Sequence, residues 1–193
     1  YNDLLNPKWK GKIVMNDPLL RGSGGKWAAV IGSQIMGWNF LRELSGQNPA
    51  TITDERLQVL WIAQGKYPIG IAPKTEMVTE FLNAGAPLAN VVPKEGTYDG
   101  GGGSGYLSLI NRAPHPNAAK VFINWYLTRE AQAIHVSKVG KASMRLDVST
   151  EGVDPMLMPQ PGIKYADGSS EAFLLRYSEL MEKSREIFAP IIR

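Results

Sequence analysis

Between Asp17 and Gly25 the run Asp-Pro-Leu-Leu-Arg-Gly-Ser-Gly-Gly places a guanidinium, a hydroxyl and three glycines just ahead of a long helical pattern. The first turn of a helix leaves backbone N–H groups without intrahelical partners, and together with the helix dipole they attract negative charge. Ser23 adds a hydroxyl there, and Arg21 adds a planar fork suited to carboxylate or phosphate. Gly22 and Gly24 let backbone come close to a bound group. The chemistry of such a turn is capture of an anionic or zwitterionic solute, not its conversion. A plain Ser or Gly helix cap accounts for the same residues, and both readings stand at this point.

Other chemistry finds little support. Tyr67, in Gly65-Lys66-Tyr67-Pro68, falls between a helix and a strand, where an aromatic ring packs on a ligand or covers the core. Gly24-Gly25-Lys26 is followed by Trp27 and lacks the upstream glycine of a nucleotide-binding P-loop. The glycine run from Gly100 to Gly105 meets the spacing of a dinucleotide fingerprint. That motif needs a helix behind it, and a strand-like segment follows here, so a flexible crossover fits better. His115 and His135 stand at the two ends of one predicted helix, about 30 Å apart, too far to share a metal. His115 sits between two prolines at a helix start. No nucleophile elbow, zinc-binding His pair or carboxylate cluster appears, and Asp17 is the one titratable group expected beside the Arg21 turn. No catalytic residue, metal ligand or cofactor is assigned.

The elements that would hold the turn alternate. Gly11 to Met15 reads as a strand closed by Asn16-Asp17-Pro18. One long helix then carries Trp27, Ile31, Ile35, Trp38 and Leu41 at three- and four-residue steps. Thr53 is positioned to cap a helix with Leu57, Leu60 and Trp61. Pro68 to Ala72 reads as a buried strand, and Thr75 starts a helix closed by Gly85. Leu88 to Val92 and Tyr106 to Ile110 read as strands. A helix opened by Pro116 carries Ala118, Phe122, Trp125 and Tyr126, and its aromatic residues, like Trp27, Trp38 and Trp61, are expected in the core. Residues 140–170 are irregular by composition. A last amphipathic helix runs from about Ser170 to Phe188, with Phe173, Leu174, Tyr177, Leu180, Met181 and Ile187 inward. This order predicts an α/β protein with a mostly parallel sheet flanked by helices.

At 193 residues, 44% apolar and 20% charged, the chain suits one domain or one and a part. The net charge of +3 is dispersed, without the patch or stripe of Lys and Arg that tracks phosphates, so nucleic acid is not an expected partner. Cysteine is absent, so neither disulfides nor thiolate chemistry is available. No apolar stretch is long enough to span a bilayer.

Several segments, taken in order, resemble the extracellular solute-binding proteins of the type II periplasmic binding fold. They include Leu4-Leu5-Asn6-Pro7-Lys8-Trp9-Lys10-Gly11-Lys12-Ile13, Gly37-Trp38-Asn39-Phe40-Leu41 and Gln64-Gly65-Lys66-Tyr67-Pro68-Ile69-Gly70. Val92-Pro93-Lys94-Glu95-Gly96-Thr97, Ala113-Pro114-His115-Pro116-Asn117-Ala118-Ala119 and Thr128-Arg129-Glu130-Ala131-Gln132 continue it. The resemblance implies a bilobed α/β protein that takes a small solute between its lobes and delivers it to the membrane permease of an ABC transporter. It implies a periplasmic or membrane-associated extracellular location, with a signal peptide removed. It also implies that residues 1–92 form the second lobe and 93–139 a hinge crossing with a remnant of the first. Residues 140–193 would return to the second lobe, making the chain the C-terminal portion of such a protein. By position Arg21, Gly22, Ser23 and Gly24 match the family's ligand-facing loop, and Tyr67 a position before a cleft-edge strand. Where ferric-binding members carry paired tyrosines this chain has Pro73-Lys74-Thr75, so iron is not implied. An enzyme on the same fold and a sensor-coupled binding protein are the alternatives.

Overall fold

The computed structural model describes residues 1–98, 107–153, 155, 158 and 161–192. It separates into two compact units, one of Tyr1–Asp99 with Gly162–Arg193 and one of Gly100–Pro161. The glycine run and Tyr106 lie outside the described residues.

The first unit is α/β. Its sheet holds β1 (Ile13–Asn16), β2 (Ala50–Ile52) and β3 (Ile69–Ile71) in the order β2-β1-β3, all parallel. Val14 pairs with Ala50 on one side and with Gly70 on the other. All four residues of β1 are buried, as befits the central strand of a sheet covered on both faces. Helices α1 (Ser23–Val30) and α2 (Trp38–Gly46) lie between β1 and β2 in the chain, and α3 (Glu55–Ala63) lies between β2 and β3. Then come α4 (Thr75–Asn83) and, at the end of the chain, α7 (Glu171–Phe188), which packs against α1. The main core gathers Ile13, Met15, Trp27, Ile31, Leu41, Leu44 and Phe188. A second cluster joins Ala29 and Val30 of α1 to Phe173 and Leu180 of α7, with Tyr177 packed beside it.

The structure departs from the sequence expectations where tertiary packing decides. The single helix expected from Trp27 to Leu41 is broken by a π-helical turn, Ile31–Ile35, in which Met36 N and Gly37 N both donate to the Ile31 carbonyl. Gly37 then adopts φ 84° and α2 starts anew. Gly32 admits this fold-back, because a Cβ there would lie 2.7 Å from the Trp38 ring. Asp54, not Thr53, caps α3, its side chain accepting from Leu57 N at 2.9 Å. Strand β2 had no expected counterpart. The strand expected over Leu88 to Val92 is irregular: Val91 is 80% exposed, and Pro87 and Pro93 remove donors on either side. Residues 107–110 are irregular as well. A short parallel ladder pairs β4 (Thr97–Tyr98) with β5 (Tyr165–Ala166). Helix α7 matches its expected span, with Ser170 capping through Phe173 N, although Leu174 faces solvent.

The second unit contains two helices where one was expected, α5 (Pro116–Tyr126) and α6 (Arg129–Val139). Pro116 opens α5, and Thr128 Oγ1 caps α6 by accepting from Ala131 N at 3.3 Å. The break turns the chain so that Tyr126 Oη reaches His135 Nδ1 at 2.7 Å. A small core of Val136, Ala142, Val148 and Val153 holds the unit. Trp125 is 52% exposed and touches Phe122 and Tyr126 at the surface, so it is not a core residue here.

Candidate functional site

Because the three strands run parallel, the turns that follow them open on one edge of the sheet. In open α/β sheets that carboxyl edge is where ligands are taken. Three helices start there: Ser23 opens α1, Glu55 opens α3 and Lys74 is the N-cap residue of α4. Their side chains meet. Ser23 Oγ donates to Glu55 Oε1 at 3.4 Å, and Lys74 Nζ pairs with Glu55 Oε2 at 3.3 Å. The carboxylate thus gives one oxygen to each partner. The edge presents a hydroxyl, an ammonium and a carboxylate, groups that can donate to or accept from a polar molecule.

Beneath this surface layer the same edge is built for close packing. Asn16, the buried last residue of β1, accepts from Gly24 N through Oδ1 at 3.1 Å. A Cβ on Gly24 would stand 2.1 Å from the Asn16 carbonyl oxygen, and one on Gly25 2.2 Å from that of Leu20. These glycines let α1 start against the strand end; both are buried, and Gly24's amide is already spoken for. Gly22 is exposed and Ser23 half-buried at this edge. On α3, Gln58 is fully buried and its amide donates to the Ile71 carbonyl at 2.9 Å. Ala72 follows in the left-handed region at φ 51°, a strained value for alanine, and this turn leads the chain to Lys74.

The remaining expected residues are placed differently. Arg21 reaches across to α7, where Nη2 donates to Ser178 Oγ at 2.7 Å and the guanidinium lies 5.5 Å from the Tyr177 ring centre. Burial pushes the Tyr177 phenol above its ordinary pKa, and the Arg21 charge opposes that shift. Ser184 and Arg185 of α7 donate to the carbonyls of Pro18 and Leu19. Asp17 accepts from Leu19 N at 2.8 Å and serves the turn. Tyr67 precedes β3, at the opposite end of the sheet from Ser23, and its ring packs against Trp61 at 5.7 Å with Lys66 over both. The structure therefore does not bring Tyr67 together with the Arg21–Gly24 turn. Sequence reasoning missed Glu55 and Lys74. The available signal was that each begins a helix after a strand of the parallel sheet, and one of those strands, β2, went unread.

Among the described residues no group of three or more His, Asp or Glu side chains is placed to hold a metal, and no helix is long and apolar enough to cross a membrane.

Residues 4–133 match the family model described as bacterial extracellular solute-binding protein. The chain is 33% identical over 143 residues to an uncharacterized protein of Haemophilus influenzae, an alignment covering 69% of this chain and 38% of that protein. It is similar in fold to a solved structure titled as a two-component system protein that mediates signal transduction. That likeness has a TM-score of 0.65 and 21% identity, and covers 94% of this chain and 60% of the other. With a parallel sheet whose carboxyl edge carries charged and hydroxyl side chains, and a family match over most of its length, the chain belongs to the bacterial extracellular solute-binding proteins. It spans 38% of the length of the first protein and 60% of the second, less than two thirds of either.

Proposed function

We propose that the protein carrying this chain is the solute-binding component of an ABC importer, working in the periplasm or at the outer face of the membrane. It takes up a small anionic or zwitterionic solute and delivers it to the permease. The observation that supports this most is the meeting of Ser23, Glu55 and Lys74 at the carboxyl edge of the sheet. In this reading Gly22 and Ser23 face the solute, Gly24 supports them from below, and Arg21 joins when it leaves Ser178. Tyr67, at the far end of the sheet, is not part of it. The family is generally non-enzymatic, which supports binding over catalysis as the reading of this edge. The sensor alternative has the name of the structural neighbour behind it, and at 21% identity that likeness carries the fold alone.

A thermal-shift screen of the full-length protein against inorganic phosphate, phosphonates, polyamines and sugars tests the proposal. A ligand that binds only the folded state raises its stability by about 2.7 kcal/mol at a hundred times Kd. Stabilisation by an anion, largely lost in S23A, is the expected result. Stabilisation by polyamines or sugars alone would overturn the solute class, and none at all would overturn the binding role.

A further inference from the structure

The Glu55 carboxylate occupies the two donors that an anionic solute would use. Asp54 already caps α3 through Leu57 N, so Glu55 is not needed as the cap. Its neighbour Arg56 is committed to Glu80, with Nη1 donating to Oε2 at 2.7 Å. That leaves Lys74 as the cation and Ser23 as the hydroxyl on Glu55, and both contacts are long, 3.3 and 3.4 Å. Charge-assisted hydrogen bonds close to about 2.7–2.9 Å when geometry allows. The Lys74 and Glu55 side chains keep 50% and 30% of their surface in solvent, so an arriving solute can reach both and the carboxylate has room to leave.

We infer that Glu55 is a specificity-determining residue, an internal stand-in for the anionic group of the solute. At rest it holds Ser23 Oγ and Lys74 Nζ loosely, and a solute anion binds by taking both donors from it. The displaced carboxylate remains beside the solute, so the site disfavours a bare oxyanion. It favours a solute that carries an ammonium or hydroxyl donor next to its anionic group. This rests on the reading of the sheet edge as an anion site.

Isothermal titration of the full-length protein with inorganic phosphate tests it, using wild type, E55Q and E55D. Glutamine removes the charge, whereas aspartate keeps the charge but is one methylene too short to reach both partners. Exposed ion pairs are worth up to about 1 kcal/mol, so releasing the two donors should tighten phosphate binding roughly fivefold. Tighter binding by both variants is the expected result. Tightening in E55Q with E55D unchanged would mean distant charge repulsion and overturn the stand-in role. Equal or weaker binding in both variants would overturn it while leaving the anion site intact. Failure of all three proteins to bind phosphate would overturn it too; the anion-site reading would fall with it only if no anion stabilised the protein in the thermal screen.

Discussion

Gly24 and Arg21 both lie in a turn whose composition suggests ligand contact, and each has a structural duty of its own. The Cβ of an alanine at position 24 would collide at 2.1 Å with a backbone oxygen of the central strand, which cannot step aside. G24A is therefore expected to destabilise by about 3 kcal/mol or more, seen as a lower urea midpoint with an unchanged slope. S23A, at a half-buried position with one long hydrogen bond, should stay within about 0.5 kcal/mol of wild type in the same measurement. Spacing made the end of β1 and the start of α1 readable. It did not show what each glycine faces, since the opposing atoms belong to the strand end and to a methionine on α7. Arg21 meets Ser178 across 157 residues, a pairing that no local pattern encodes.

At the scale of elements, caps and periodicity carried most of what was legible. Helices α4, α5 and α7 begin where Thr75, Pro116 and Ser170 suggest: Ser170 caps α7 through Phe173 N, Pro116 suits a first turn that needs no donor, and α4 starts without a side-chain cap. Thr53 and Asp54 are both capping residues side by side, and sequence alone does not choose between them. The geometry does: D54A should lower stability by about 1 kcal/mol in urea unfolding, whereas T53A should leave it nearly unchanged. Equal effects from the two would contradict the assigned cap. Strand β2 escaped notice because Ala50-Thr51-Ile52 is too short for a period to show, and its identity comes from pairing with β1. The π turn escaped for the opposite reason, since apolar residues continue at three- and four-residue steps on both sides of it. Leu88 to Val92 looked apolar enough for a strand but has no ladder partner among the described residues.

At the scale of the molecule, the two units differ in how well they hide their apolar residues. The unit of Tyr1–Asp99 with Gly162–Arg193 buries its core on and around a three-stranded sheet, whereas in Gly100–Pro161 the side chains of Ile110, Val121, Met144 and Leu146 stand in solvent. Exposed apolar side chains in this number promote association. This chain by itself should therefore show a concentration-dependent rise in apparent mass by light scattering, reduced in the double variant V121K/I110K. A constant monomer mass would argue against it. Helix α7 adds a consequence of another kind. It covers the turn after β1 through Ser178, Ser184 and Arg185, and the Ser184 contact spans 166 residues. On a ribosome adding about 5–20 residues per second, that turn waits roughly ten to thirty seconds for its cover. Through that interval the nascent chain can form its three strands while the turn after β1 stays uncovered, so translation itself delays the closing of this turn until the last helix has emerged.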